Sequence, residues 1–301
     1  MHRDDDGEII EALIERCQLS PGAVADIYQA MQAMQLRFPD AAVHLGLVQP
    51  TEVEEVLAEV QKRHARRSSS IVERLMQRRS GLPSVTVRHS QMVVPGPQII
   101  LLHDPDCDRS ERLRALRTQL LLLGEQSSRA NLIALLSPCA GEGRSQLSAE
   151  LAVAFSQLGR RTLLVDGDLR KPRQHLLFGA PNDWGLAQTL AVGEPPALYG
   201  VEGLPFLSLL TAGAPASNPL ELLSGGRLGP LVSNWRYNYD FVVIDTPPVD
   251  PYADGLAVAT MAGRVLVLSR LGFTAHKQMK GMLRRLAMTQ SRILGAVINR
   301  F

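Results

Sequence analysis

Three stretches of this chain place glycines, a hydroxyl and carboxylates where they could hold a polyphosphate. The first is Ser137-Pro138-Cys139-Ala140-Gly141-Glu142-Gly143-Arg144-Ser145, with Gln146 next. It follows the apolar run Leu132-Ile133-Ala134-Leu135-Leu136 and precedes an expected amphipathic helix from Leu147 to Leu158. In a strand–loop–helix of this kind, backbone N–H groups converge on phosphate oxygens, and the helix N-terminus adds about half a positive charge. Gly141 and Gly143 let the backbone approach a ligand without a Cβ. Ser145 offers a hydroxyl to Mg²⁺. The residue before that hydroxyl is ordinarily lysine; here it is Arg144.

The second stretch, Arg161-Thr162-Leu163-Leu164-Val165-Asp166-Gly167-Asp168, reads as a buried strand ending in two carboxylates. The third, Phe241-Val242-Val243-Ile244-Asp245-Thr246-Pro247-Pro248, ends in one. Ligands of open parallel sheets bind beyond the carboxyl ends of the strands, and all three stretches sit at such ends. Carboxylates there suit holding Mg²⁺ beside phosphates and polarising a nucleophile. Read singly, each aspartate is equally a solvated strand end or a helix cap; the joint pattern is what points to chemistry.

These residues need a sheet to bring them together, and the rest of the main segment supplies it. Phe206–Leu210, Arg264–Ser269 and Ile293–Asn299 read as further strands. Helices are expected at 108–123, 145–158, 253–262 and 275–289, with Gly159 closing the second. Strands alternating with helices of ten or more residues imply a parallel sheet covered on both faces. Tyr237 and Tyr239, just before the Asp245 strand, read as structural. Cys139, inside the loop, reads as a small filler rather than a redox handle.

The chain has 301 residues, 45% hydrophobic and 21% charged, which is ordinary globular composition with room for one large segment and a small one. Net charge is +2, and the basic residues fall in a linker rather than on a reading helix, so nothing calls for nucleic acid. No apolar run reaches the roughly 18 residues that span a bilayer. The opening Met-His-Arg-Asp-Asp-Asp is no secretory signal. Cys17, Cys107 and Cys139 are isolated, so neither a zinc site nor a disulfide framework is indicated, and a reducing cytoplasm follows.

Residues 1–64 read as a small helical module. Ile9, Ile10, Leu13 and Ile14 recur at helical spacing. Ser20-Pro21 is an N-cap followed by proline, with Val24, Ile27, Tyr28, Met31 and Met34 on an apolar face taken as core. Thr51-Glu52-Val53-Glu54 reads as a capping box opening another helix. Residues 65–97 read as a basic, Pro/Ser-containing linker with a short amphipathic turn at Ile71, Val72, Leu75 and Met76. Arg66, Arg67, Arg74, Arg78 and Arg79 suit weak peripheral contact with an anionic membrane, each contributing roughly 1 kcal/mol near such a surface. Residues 98–301 form the main segment.

With these residues set out, the main segment resembles the bacterial tyrosine kinases of capsule and exopolysaccharide assembly, the BY-kinases, in particular the EpsG type. The resemblance rests on Ala140–Ser145, on Leu164-Val165-Asp166-Gly167-Asp168-Leu169-Arg170-Lys171-Pro172 and on Val243–Pro248. It also rests on Glu111, Arg114 and Arg117, which match a Glu-x-x-Arg-x-x-Arg helix. The front module resembles the small helical domain of secretion ATPases and some exopolysaccharide kinases, through Gly7–Ile10, Arg37–Ala42 and Leu45–Val48. Some relatives bind a cyclic dinucleotide there, but no arginine-led motif for it stands here.

The resemblance implies an α/β fold of the P-loop NTPase, deviant-Walker type: a doubly wound, mostly parallel sheet behind a small all-α domain. It implies ATP with Mg²⁺, cradled by Gly141, Glu142, Gly143, Arg144, Ser145 and Gln146. Asp166 becomes the base, with Ser145, Asp168 and Asp245 serving Mg²⁺ and Asn299 touching adenine. It implies a homo-oligomeric ring through Glu111, Arg114 and Arg117, and an inner-membrane polysaccharide co-polymerase, the chain-length determinant, as partner at the inner face of the cell membrane. Two departures weigh against turnover. A forked guanidinium at Arg144 is no substitute for a compact ammonium in a tight crib, and phosphoryl transfer depends on positioned charge. The family's C-terminal tyrosine cluster also has no counterpart after Tyr252. The alternatives are therefore an impaired protein-tyrosine kinase and a pseudokinase scaffold. A partitioning or positioning ATPase fits less, because its signature lysine position holds Cys139.

Overall fold

In the computed structural model of the chain, the described residues are 10, 12–34, 38–53, 55–56, 91–123 and 131–300. Gly7 to Ile9, Arg37, the basic cluster and the amphipathic turn at 71–76 lie outside them. The chain divides into two units, Met1–Ser80 and Gly81–Phe301.

In the first unit, α1 (Pro21–Met34) is followed by α2 (Phe38–His44). Ser20 does cap α1, its Oγ accepting from Ala23 N–H at 3.3 Å. Leu13, Ile27, Phe38, Ala41, Ala42, Val48 and Val56 form the core, with Met31 packed against it. Tyr28 stays 46% exposed, edge-on to Phe38. The expected capping box is displaced. Helical residues begin at 50, and Glu52 reaches back to Gln49 N–H at 2.8 Å, because the turn at Gly46 ends before Gln49 and leaves that N–H first in line.

The second unit is built on one sheet. Its strands in chain order are β1 (Gln91–Val93), β2 (Asn131–Leu136), β3 (Thr162–Asp166), β4 (Tyr199–Val201), β5 (Leu204–Leu210), β6 (Phe241–Asp245), β7 (Arg264–Arg270) and β8 (Arg292–Asn299). They lie in the order β1-β4-β5-β3-β6-β2-β7-β8. Every pairing is parallel except β4 with β5. The long apolar runs of β2, β3 and β6 fall at the centre, as strands buried on both faces must. Short β1 lies within the range read as linker and extends the sheet at β4.

Two cores cover the faces. One side carries α3 (Ile100–His103), α4 (Asp108–Leu123) and α5 (Arg144–Ser156), around Leu113, Leu120, Leu151, Phe155 and Phe178. Phe155 stacks on Phe241 with centroids 4.1 Å apart. The other side carries α7 (Leu186–Val192), α8 (Pro219–Ser224), α9 (Leu228–Asn238), α10 (Asp254–Ala262) and α11 (His276–Leu286), around Leu190, Trp235, Tyr239, Val258 and Met282. Short α6 (Gln174–Leu177) follows β3.

Two expectations need correction. The helix after the loop is not amphipathic: α5 is buried from Leu147 to Ser156, because α4 covers the side that the sheet does not. Tyr239 is core, but Tyr237 is 72% exposed: Tyr237 stands in the last turn of α9, whereas Tyr239 follows the helix in extended backbone. Among the described residues no helix is long and apolar enough to cross a membrane.

Candidate functional site

The ends of β2, β3 and β6 meet as the sequence requires. Asp166 and Asp245 are register partners on neighbouring strands. Gly167 N–H donates to Asp245 O at 2.9 Å. A Cβ on Gly167 would lie 2.6 Å from that oxygen, so glycine between the two aspartates allows the strand ends to stay in contact.

The loop after β2 is a formed anion cradle. Gly141 (φ 81°) and Gly143 (φ 87°) are left-handed, and Gly143 begins α5 with no side-chain cap. The leading N–H groups of α5 are thus left for a ligand or water, at the positive end of the helix. The loop lines a cavity of about 520 Å³ together with Asp168, Arg170, Lys171, Arg173, Pro247 and Tyr252. Residues 141–146 and Asp168 reach this cavity as expected; Asp166, Asp245 and Asn299 are not in its wall.

Glu142 braces the loop. It is 1% exposed, and its carboxylate accepts from Cys139 N–H at 2.8 Å and from Thr274 Oγ. Asn299, expected at adenine, donates to Glu142 O at 3.2 Å, and Arg270 donates to Gly141 O at 3.2 Å. The ends of β7 and β8 therefore hold the loop from outside. Gln146 donates to Glu150 at 2.9 Å and to Gln98 O, tying α5 to the segment before α3. Burial and the nearby Glu142 push the Cys139 thiol up, keeping it neutral and consistent with a filler.

Asp166, expected as the base, is fully buried. It accepts from Asp168 N–H at 3.2 Å, Arg173 N–H at 3.0 Å and Gln174 N–H at 2.9 Å. It organises the turn after β3 rather than facing a substrate. Burial, then repulsion from Asp245, holds its carboxyl well above the usual range. Of the three strand-end aspartates, Asp168 is the one that reaches the cavity; its own pKa is raised, first by burial. Gln174, which the sequence did not single out, donates to Asp245 at 2.9 Å and to Ser145 O at 2.9 Å, joining carboxylate to loop. Its position eight residues beyond Asp166 belongs to no recognisable spacing.

Arg144 is the surprise. Its side chain packs among the carboxylates and is 7% exposed. It lies 3.6 Å from Asp168 and 3.3 Å from Asp245, and donates to Ser137 Oγ at 2.7 Å. The donor chemistry of Ser145, Asp168 and Asp245 suits a hard cation, but a guanidinium already stands against two of the three. The phosphate cradle thus fits a polyphosphate, while the carboxylates as arranged do not fit Mg²⁺. Arg170, also on the cavity, is held by Asp254 at 2.5 and 3.2 Å and lies 4.0 Å above the Tyr252 ring.

The Glu111/Arg114/Arg117 set divides. Arg114 pairs with Glu111 within α4, whereas Arg117 donates to Ala154 O of α5 at 3.1 Å. Arg117 thereby docks α4 on the helix that follows the loop.

No family model matches the chain. The putative tyrosine-protein kinase CapB of Staphylococcus aureus is 32% identical over 207 residues, covering 67% of this chain and 89% of CapB. The chain belongs to the bacterial tyrosine-protein kinases. Within that kinase family, the tyrosine-protein kinase YwqD of Bacillus subtilis (strain 168) is 34% identical over 203 residues, 67% of this chain and 85% of YwqD. The solved kinase domain of the Escherichia coli tyrosine kinase ETK superposes with a TM-score of 0.64 at 26% identity, covering 75% of this chain and 86% of that one.

Proposed function

We propose that this chain is a nucleotide-binding regulator of exopolysaccharide polymerisation and export, a kinase-family protein with an impaired phosphoryl-transfer centre. One observation carries the reading: Arg144, in the position of the phosphate-binding cation, is buried against Asp168 and Asp245. A cation spent on the carboxylates does not stabilise charge on a transferring phosphoryl group, and that stabilisation is most of what such a site does. Gly141 to Ser145 would hold the phosphates of ATP. Ser145, Asp168 and Asp245 would be a donor set for Mg²⁺ only with Arg144 withdrawn from the two carboxylates. Asp168, on the cavity wall, takes over the base assignment from Asp166.

The same observation favours the pseudokinase scaffold over a working kinase. On this reading the protein acts at the inner face of the cell membrane. It forms a homo-oligomer through Glu111 and Arg114 and engages a membrane-embedded chain-length co-polymerase, with the basic linker adding peripheral contact. Calorimetry and phosphoryl-transfer assays with Mg-ATP on the wild type and Arg144→Lys test it. Nucleotide binding by the wild type with little turnover, and turnover raised in Arg144→Lys, is expected. Wild-type turnover equal to or above that of Arg144→Lys overturns the impairment.

A further inference from the structure

We infer that Arg144 is a resident cation in the metal seat, so that this site takes a nucleotide without a divalent ion. The inference rests on the nucleotide-binding reading above and goes beyond it to the ligand's form: free nucleotide rather than its Mg²⁺ complex.

Geometry carries the argument. Mg²⁺ needs near-octahedral oxygen ligands at about 2.0–2.1 Å. The guanidinium of Arg144 lies 3.6 Å from Asp168 Oδ2 and 3.3 Å from Asp245 Oδ1. Two cations do not share those two oxygens at such distances. The third expected donor, Ser145, is a residue of the cavity wall. Arg144 would have to leave before a metal entered, and it is well fixed, 7% exposed with Ser137 Oγ as a further acceptor at 2.7 Å. Its departure would break both buried ion contacts.

Electrostatics points the same way. Without a cation, Asp168 on the cavity wall, with Asp245 buried behind it, would oppose incoming phosphates with like charge, and Arg144 cancels part of that charge from inside the protein. The cradle itself is unaffected, because the glycines and the α5 N-terminus approach phosphates through backbone N–H groups. Lys171 and Arg173 line the same cavity and can meet phosphate charge left unscreened in the absence of metal. The ligand class is therefore a nucleoside di- or triphosphate bound through cradle and basic rim.

The test compares ADP affinity by calorimetry in EDTA and in excess Mg²⁺, for the whole 301-residue chain as wild type and as Arg144→Lys. Wild-type affinity should change by less than about threefold between the media, while Arg144→Lys should bind at least about tenfold tighter with Mg²⁺, a step of one decade in Kd. A tenfold Mg²⁺ requirement in the wild type, or none in Arg144→Lys, overturns the inference. Absence of binding by both proteins in both media overturns the nucleotide reading itself, and the inference with it. A second arm needs no variant. Water-proton relaxation by Mn²⁺ and ADP should show no enhancement on adding wild-type protein, and an enhancement overturns the proposal.

Discussion

Arg144 Nε lies 3.3 Å from Asp245 Oδ1, and neither atom has a hydrogen-bond partner. The contact is therefore one of charge rather than of aligned donor and acceptor. Charge attraction holds two buried side chains, one from the start of α5 and one from the end of β6, across the site, and removing one member leaves the other uncompensated.

That relationship makes Arg144→Met a stability variant as well as a site variant. Losing one partner of a buried ion pair typically costs about 3–5 kcal/mol, a fall in Tm of roughly 6–20 °C for a domain of this size. The loss should grow with pH. Asp166 and Asp168 both titrate above their ordinary value of 3.8, first through burial. The folded protein thus holds protons that the unfolded chain releases. Stability from the cluster is full below about pH 4 and declines as pH rises through the raised values. Arg144 lowers the Asp168 value, so its removal should steepen the decline. Denaturant unfolding at pH 5 and pH 8 measures both, and an equal deficit at the two pH values would contradict the coupling.

Gly167→Ala tests whether the carboxylates must stay in contact. The new Cβ would meet Asp245 O at 2.6 Å, closer than real Cβ atoms approach backbone. β3 and β6 would have to part at their ends, moving Asp168 away from Arg144. We expect a loss of roughly 1–3 kcal/mol in stability, as for overpacking of a tight interior, and nucleotide affinity reduced by about tenfold. Wild-type stability with wild-type affinity would show that the strand ends are looser than their contacts indicate.

How much of this was legible in the sequence follows from what each residue answers to. The three carboxylate-bearing strands were legible because an apolar run ending in aspartate records burial followed by a strand end. The direction of the Arg144 side chain was not legible, since it depends on carboxylates brought in from β3 and β6. The same holds for Glu142, whose partner Thr274 and whose carbonyl's donor Asn299 arrive from beyond β7 and at the end of β8. The all-round burial of α5 also escaped reading, because a cover supplied by α4 leaves no polar stripe. β1 is three residues long, too short for alternation to show.

Glu142 is predicted to matter for nucleotide binding without touching the ligand. In Glu142→Ala the part-buried Cys139 N–H and Thr274 hydroxyl lose their acceptor, each at the lower end of the roughly 1–3 kcal/mol that an unpaired buried group costs. The loop should loosen, seen as faster hydrogen exchange at residues 139–143, and ADP should bind about tenfold more weakly. Thr274→Val should give a smaller effect in the same direction. The double variant should fall short of the sum, because both substitutions break one contact. Additive losses would separate Thr274 from the loop.

The two arginines of α4 should respond differently. Arg117 donates to Ala154 O inside the unit, so Arg117→Ala removes a donor to a carbonyl near the end of α5 and should lower stability by about 1 kcal/mol. Arg114 pairs with Glu111 on the helix surface, where such a pair contributes roughly 0.2–0.5 kcal/mol. Arg114→Glu should leave Tm within a degree or two of wild type, yet shift the sedimentation profile toward smaller species if α4 bridges subunits. An unchanged profile beside an oligomeric wild type removes Arg114 from the interface. A large fall in Tm would instead place Arg114 in the packing of its own chain.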